Sequence, residues 1–330
     1  VRHRTARLLS LLGWLVLLLG ACQPDRQTTL PPSRVEAVRT ARQVEELLCS
    51  VDTTFRHFTV DTALRVLDRR VAWQYRKAGV KAWEKADFDG NGRLDLLVTG
   101  WFNHGLFYRQ TPHVVCLLDM GQQGLVLTYL DRDQQGIGAY YCPVATVVHQ
   151  DSRPLVQYAD FAPPFMITDS LQHRQSFLLT YKFDGFVEYN DQPESAVPFD
   201  SIVYSSDYAY DDFIVSKTVL DAAGNVTYSA CEGPVLREEG APVCEKLRAT
   251  VDAKTLGRIK TLVSYMNADS LKPRYRANVN HVPYATLTIA YRGGRKVKVF
   301  DEGEQGTFGL VQLYNLLGQL RQSQQWQVAK

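Results

Sequence analysis

The sequence contains no C-x-x-C, no H-E-x-x-H, no G-x-S-x-G, no Walker loop and no dinucleotide fingerprint. The first two absences argue against a thioredoxin-like dithiol, a zinc knuckle and a zincin site. The seven histidines, at 3, 57, 104, 113, 149, 173 and 281, are scattered rather than paired at ligand spacing. The other absences argue against a nucleophile elbow and phosphate-cradling loops, and Gly293-Gly294 is better explained as a hairpin turn. Neither sign of charge is in surplus, with 37 basic residues against 35 acidic ones. A nucleic-acid partner would need Lys and Arg gathered on one face, so none is expected. Long apolar runs are missing as well. Leu8 to Leu19 is almost wholly apolar, but its 12 residues fall short of the roughly 20 that span a bilayer.

That short run sits in a recognisable context. Arg2, Arg4 and Arg7 precede it and Leu19-Gly20-Ala21-Cys22 ends it, the pattern of a secretory signal closing on a lipobox. The quartet resembles the bacterial lipoprotein processing site. The resemblance implies a signal peptide over 1–21, lipidation of Cys22 and, because residue 23 is Gln rather than Asp, an outer-membrane address. Residues 22–33 are polar and proline-bearing and read as a tether. Residues 1–21 hold three of the basic residues and no acid, so the remainder balances 34 basic against 35 acidic.

The most specific chemistry lies at Asp87, Asp89, Asn91, Arg93 and Asp95. In this D-x-D-x-N-G-x-x-D spacing, oxygen side chains fall at loop positions 1, 3, 5 and 9, glycine at 6 and a backbone carbonyl, that of Arg93, at 7. A calcium ion with six or more oxygen ligands needs such a set. Position 12 of an EF-hand would be a bidentate Glu; here it is Val98, and the flanks read as strands. The stretch KADFDGNGRLDLLVTG resembles the loop of FG-GAP and VCBS repeats. That resemblance implies the ion and an extracytoplasmic setting; with one good copy it does not imply a propeller.

Residues 34–192 read as a β-rich domain with this single calcium-loop hairpin, opening with a helix over 34–48. Residues 193–330 read as a smaller α+β domain, an antiparallel sheet with helices over 254–268 and 309–322, so the fold class is α+β. Beyond Cys22, five cysteines remain; local pairing would join Cys116 to Cys142 and Cys231 to Cys244. The segment YRGGRKVKVFDEGEQGTFGLVQLYNLLGQLRQSQQW resembles the C-terminal part of an uncharacterised domain of lipoproteins from Bacteroidetes-type bacteria, on Tyr291, Gly294, Asp301, Gly306, Thr307, Tyr314 and Trp326 among others. That family has no assigned activity, and its Cys-x-Gly-x-Cys-Pro-like element is replaced here by YSSDYAYDDF.

Tyr204, Tyr208, Tyr210 and Phe213 suggest a sugar-stacking surface less well than a β-edge with alternate residues packed inward. Asp301, Glu302 and Glu304 are better read as a loop leading into a helix than as an acid pair. The expectation is a lipid-anchored cell-envelope protein with a structural calcium site, serving binding or assembly with an envelope protein or glycan. The alternative is an envelope hydrolase of glycan or peptide, for which no catalytic residues stand at recognisable spacing.

Overall fold

The computed structural model describes residues 33–62, 69–102, 112–131, 142–162, 172–193, 198–210, 212–234, 243–277 and 282–329. Cys22, the expected signal segment, most of the expected tether and residues 194–197 lie outside the described residues. The protein is mostly β, in three largely antiparallel sheets with helices laid against them. No helix among the described residues is long and apolar enough to cross a membrane.

The described residues open with two short helices, α1 (Arg34–Ala37) and α2 (Ala41–Val51), rather than one. The break is local chemistry. Thr40 is extended (φ −131°, ψ 155°) and forms a capping box with Gln43, so a new helix starts there. A five-strand sheet follows: β1 (Phe58–Val60) and β2 (Trp83–Ala86) share one edge of β3 (Asp95–Phe102), whose other edge pairs with β4 (Pro112–Asp119) and then β5 (Leu125–Tyr129). Helix α3 (Arg69–Ala78) lies between β1 and β2 in the chain.

This sheet is a middle layer. Leu96 and Val98 on β3 and Val115 and Leu117 on β4 face Val35, Val44, Leu47, Leu48 and Phe55. The alternate residues Leu97, Val114, Cys116 and Leu118 face the next sheet. Burial of both faces explains why β3 is apolar almost without interruption where a one-sided strand would alternate.

The second sheet is a meander of β6 (Cys142–Gln150), β7 (Arg153–Ala162), β8 (Gln172–Lys182) and β9 (Gly185–Glu188). The β8–β9 hairpin closes on a two-residue turn, although Asp184-Gly185 is the dipeptide of turn type in this stretch. Its two central residues are Phe183 and Asp184, both left-handed (φ 60° and 56°), while Gly185 already pairs with Lys182. Glycine at 185 answers a different need: an added Cβ would lie 2.6 Å from Gln312 Oε1.

The third sheet has eight strands in the order β14, β16, β15, β10, β11, β12, β13, β17. These are β10 (Phe199–Tyr210), β11 (Asp212–Asp221), β12 (Asn225–Pro234), β13 (Val243–Thr250), β14 (Arg274–Tyr275), β15 (Tyr284–Tyr291), β16 (Lys296–Glu302) and β17 (Gln327–Val328). Helices α4 (Ala253–Tyr265) and α5 (Phe308–Ser323) bury Ile259, Leu262, Val263, Leu310, Leu313 and Leu317 against it. On the face toward α5, Tyr204 stacks on Tyr314 with ring centroids 5.1 Å apart.

Cys231 and Cys244 sit opposite each other on β12 and β13 and form a disulfide. The expected Cys116–Cys142 bridge does not form. Cys116 fills the core between the first two sheets, whereas Cys142 packs with Tyr75, Val80, Val144 and Phe161 beneath α3.

The second and third sheets meet at one junction. Glu188 accepts from the backbone N–H groups of Phe308 (2.6 Å) and Gly309 (2.9 Å), placing a carboxylate on the amino end of α5. The Phe308 ring lies edge-on between Tyr158 and Phe177. The Phe183 carbonyl accepts from Gln312 (2.6 Å) and from Arg258.

Candidate metal centre

The turn between β2 and β3 is built from short side chains that accept from backbone donors. Asp87 Oδ1 accepts from Gly90 N (2.8 Å) and Asn91 N (3.1 Å), and its Oδ2 from Gly92 N (2.8 Å). Asp89 Oδ1 accepts from Asn91 N at 3.0 Å. Gly90 and Gly92 have φ of 75° and 83°, which excludes most side chains by conformation alone, since nothing lies within 4 Å of an added Cβ.

Asp95, the first residue of β3, is fully buried. Its Oδ2 accepts from Phe88 N and its Oδ1 from Asp119 N, both at 2.8 Å, so one carboxylate ties the loop to the end of β4. Carboxylate oxygens of Asp87, Asp89 and Asp95 all lie within 4.8 Å of one another, the one such group of three among the described residues.

Burial pushes the Asp95 carboxyl up to about 7, against its two backbone hydrogen bonds and with help from the charges of Asp89 and Asp87. Asp89 is also raised, by burial and by Asp87, against the opposing hydrogen bond from Asn91. Concentrated negative charge of this kind is what a divalent cation relieves. The donor set is all oxygen, with no thiol or imidazole, and so fits a hard ion.

The side chains of Asn91 and Arg93 are engaged in hydrogen bonds of their own. Asn91 turns its amide N–H groups to Asp89 Oδ2 and to the Asp119 carbonyl, both at 2.8 Å, while its Oδ1 accepts from Arg93 N. Its amide thus both donates and accepts within this corner of the fold. The Arg93 side chain leaves the loop and pairs with Asp119 through Nε (2.8 Å) and Nη2 (3.0 Å). Burial pushes Asp119 up, but hydrogen bonds from Arg93, Ser33 and Gly121 outweigh it and hold the carboxyl below its usual range.

Asp119 is the residue that sequence reasoning missed. It stands 24 positions after Asp95 at the end of an apolar strand, and only the β3–β4 pairing brings it to the loop. Of the other acids considered, Asp301 accepts from Gln305 N (2.7 Å) and Gly306 N (3.0 Å), capping the loop that leads into α5.

No family model matches the chain, and no curated protein matches it.

The raised Asp95 carboxyl carries a consequence for stability. Its folded value lies above the ordinary carboxylate value of 3.8, so ionisation disfavours the folded state. In chelator, this group's contribution is expected to fall as pH rises from about 4 to about 7 and to level off above that. Added calcium should flatten the decline. Urea midpoints of wild type and Asp95→Asn at pH 4.5, 6 and 8, with EDTA or calcium, check this.

Proposed function

We propose that the protein is a lipid-anchored envelope protein in which Asp87, Asp89 and Asp95 hold one structural calcium ion. In this reading residues 34–192 form the calcium-bearing β-rich unit, and the smaller α+β unit over 193–330 serves binding or assembly. The convergence of three carboxylates on one loop carries the proposal. When bound, the ion would supply positive charge among them. The loop's residues position the carboxylates, and Asp95 links them to β4.

Extracellular calcium modules bind with dissociation constants on the order of 10⁻⁴ to 10⁻³ M, which suits a structural ion better than a sensory one. At about 10 mM calcium, that affinity stabilises the folded state by roughly 1.4–2.7 kcal/mol, an increase of several degrees in Tm. Asp89→Ala should abolish the increment, because Asp89 contributes a carboxylate while its hydrogen bonds from Asn91 stay within the loop. Identical melting curves in calcium and in chelator would overturn the reading. The anchor is tested separately, by labelling with a palmitate precursor in wild type and Cys22→Ser.

A further inference from the structure

We propose that the outer face of α3 is a docking surface for an anionic phospholipid bilayer. The helix contains Arg69, Arg70, Arg76 and Lys77 and no acidic residue. Trp73 is 50 % exposed, the one aromatic among the exposed large hydrophobic side chains of the described residues. Trp73, Arg76 and Lys77 stand at i, i+3 and i+4 and so share one face. Lys77 Nζ lies 5.0 Å from the centroid of the Trp73 ring. Arg76 and Lys77 are both exposed, and neither joins an ion pair with the described residues.

The opposite face fixes this presentation. Tyr75 is fully buried and donates to the Pro143 carbonyl at 2.6 Å, pinning the helix to β6. The indole of Trp73 is thereby presented to solvent beside Arg76 and Lys77.

Charge complementarity selects the partner. Cations at headgroup depth beside an indole match the interfacial zone of a bilayer, where phosphate and an amphipathic ring are both accommodated. A single-stranded nucleic acid would call for several stacking rings along a basic groove, and this face offers one. The inference does not depend on the calcium loop.

The test is sedimentation of the full chain, in a Cys22→Ser background, with vesicles of phosphatidylglycerol and phosphatidylcholine or of phosphatidylcholine alone. Every variant retains residues 1–32, so the N-terminal apolar run is the same in all of them, and the losses are read relative to wild type. Each cation near an anionic leaflet favours binding by roughly fivefold, so Arg76→Ala with Lys77→Ala should cut partitioning into anionic vesicles about 20- to 30-fold. Trp73→Ala should cut it severalfold. Lys296→Ala with Lys298→Ala removes the same charge from two exposed lysines of the third sheet and should leave partitioning within twofold of wild type. Equal losses in the two double variants would overturn the proposal, as would equal wild-type binding to both vesicle types. Displacement of the chain from vesicles by short single-stranded DNA at equimolar phosphate would also overturn it, in favour of a nucleic-acid partner.

Discussion

Asp95→Ala is expected to lose roughly 2–4 kcal/mol of unfolding free energy in chelator at pH 5. The estimate follows from what the side chain satisfies. Asp95 is fully buried, and its two oxygens take the backbone N–H groups of Phe88 and Asp119. Alanine leaves both donors buried without partners, at about 1–3 kcal/mol each, offset in part by removing a carboxyl that is itself costly to ionise there. Asp89→Ala should cost far less under the same conditions. Asp89 is raised by burial and by Asp87, so removing it relieves repulsion and costs under about 1 kcal/mol. Urea denaturation of both variants decides the matter, and equal losses would show that Asp95 has no special place in the loop.

The second large effect is expected at the junction of the second and third sheets. Phe308→Ala should cost about 3 kcal/mol, the low end for a buried phenylalanine, since the ring is only partly buried. Its ring centroid lies 5.2 Å from that of Tyr158 and 5.4 Å from that of Phe177, both edge-on, so truncation opens the second sheet's core as well as the amino end of α5. Glu188→Ala should cost about 2 kcal/mol by removing a charge-assisted cap from two helix N–H groups. The double variant should lose less than the sum, by about 1 kcal/mol, because both side chains act on the same turn. A loss below 1 kcal/mol for Phe308→Ala would mean that the sheets do not share this contact.

Residues whose spacing is dictated by local chemistry were legible in the sequence. The acids of the 87–95 turn stand where a loop must place them. The stripe Leu310, Leu313, Tyr314, Leu317 and Leu320 leads to the expected bounds 309–322, one residue inside each end of α5. Helix α3 was not legible, because Val71 and Tyr75 alone do not make a stripe and its remaining positions are largely basic. Strand β7 was obscured by Pro154 and Asp160, residues that usually interrupt strands; Pro154 sits at the second position, opposite His149. The left-handed Phe183 has no signature at all. A bulky residue with φ of 60° costs on the order of 1 kcal/mol or more, offset by its carbonyl's contacts with Arg258 and Gln312 and by its ring's edge-on packing against Tyr265. The bridge from Arg93 to Asp119 was hidden because it is a product of strand register.

Ser33, the first described residue, donates to Asp119 Oδ2 at 2.7 Å, and Asp119 in turn clasps Arg93 and reaches Asp95. A mechanical load arriving through the polypeptide ahead of Ser33 would therefore be delivered to the 87–95 turn. An ion seated there would work as a rivet at the point of pull, and rupture force measured from that end should climb with calcium while force applied at the carboxyl terminus stays indifferent to it.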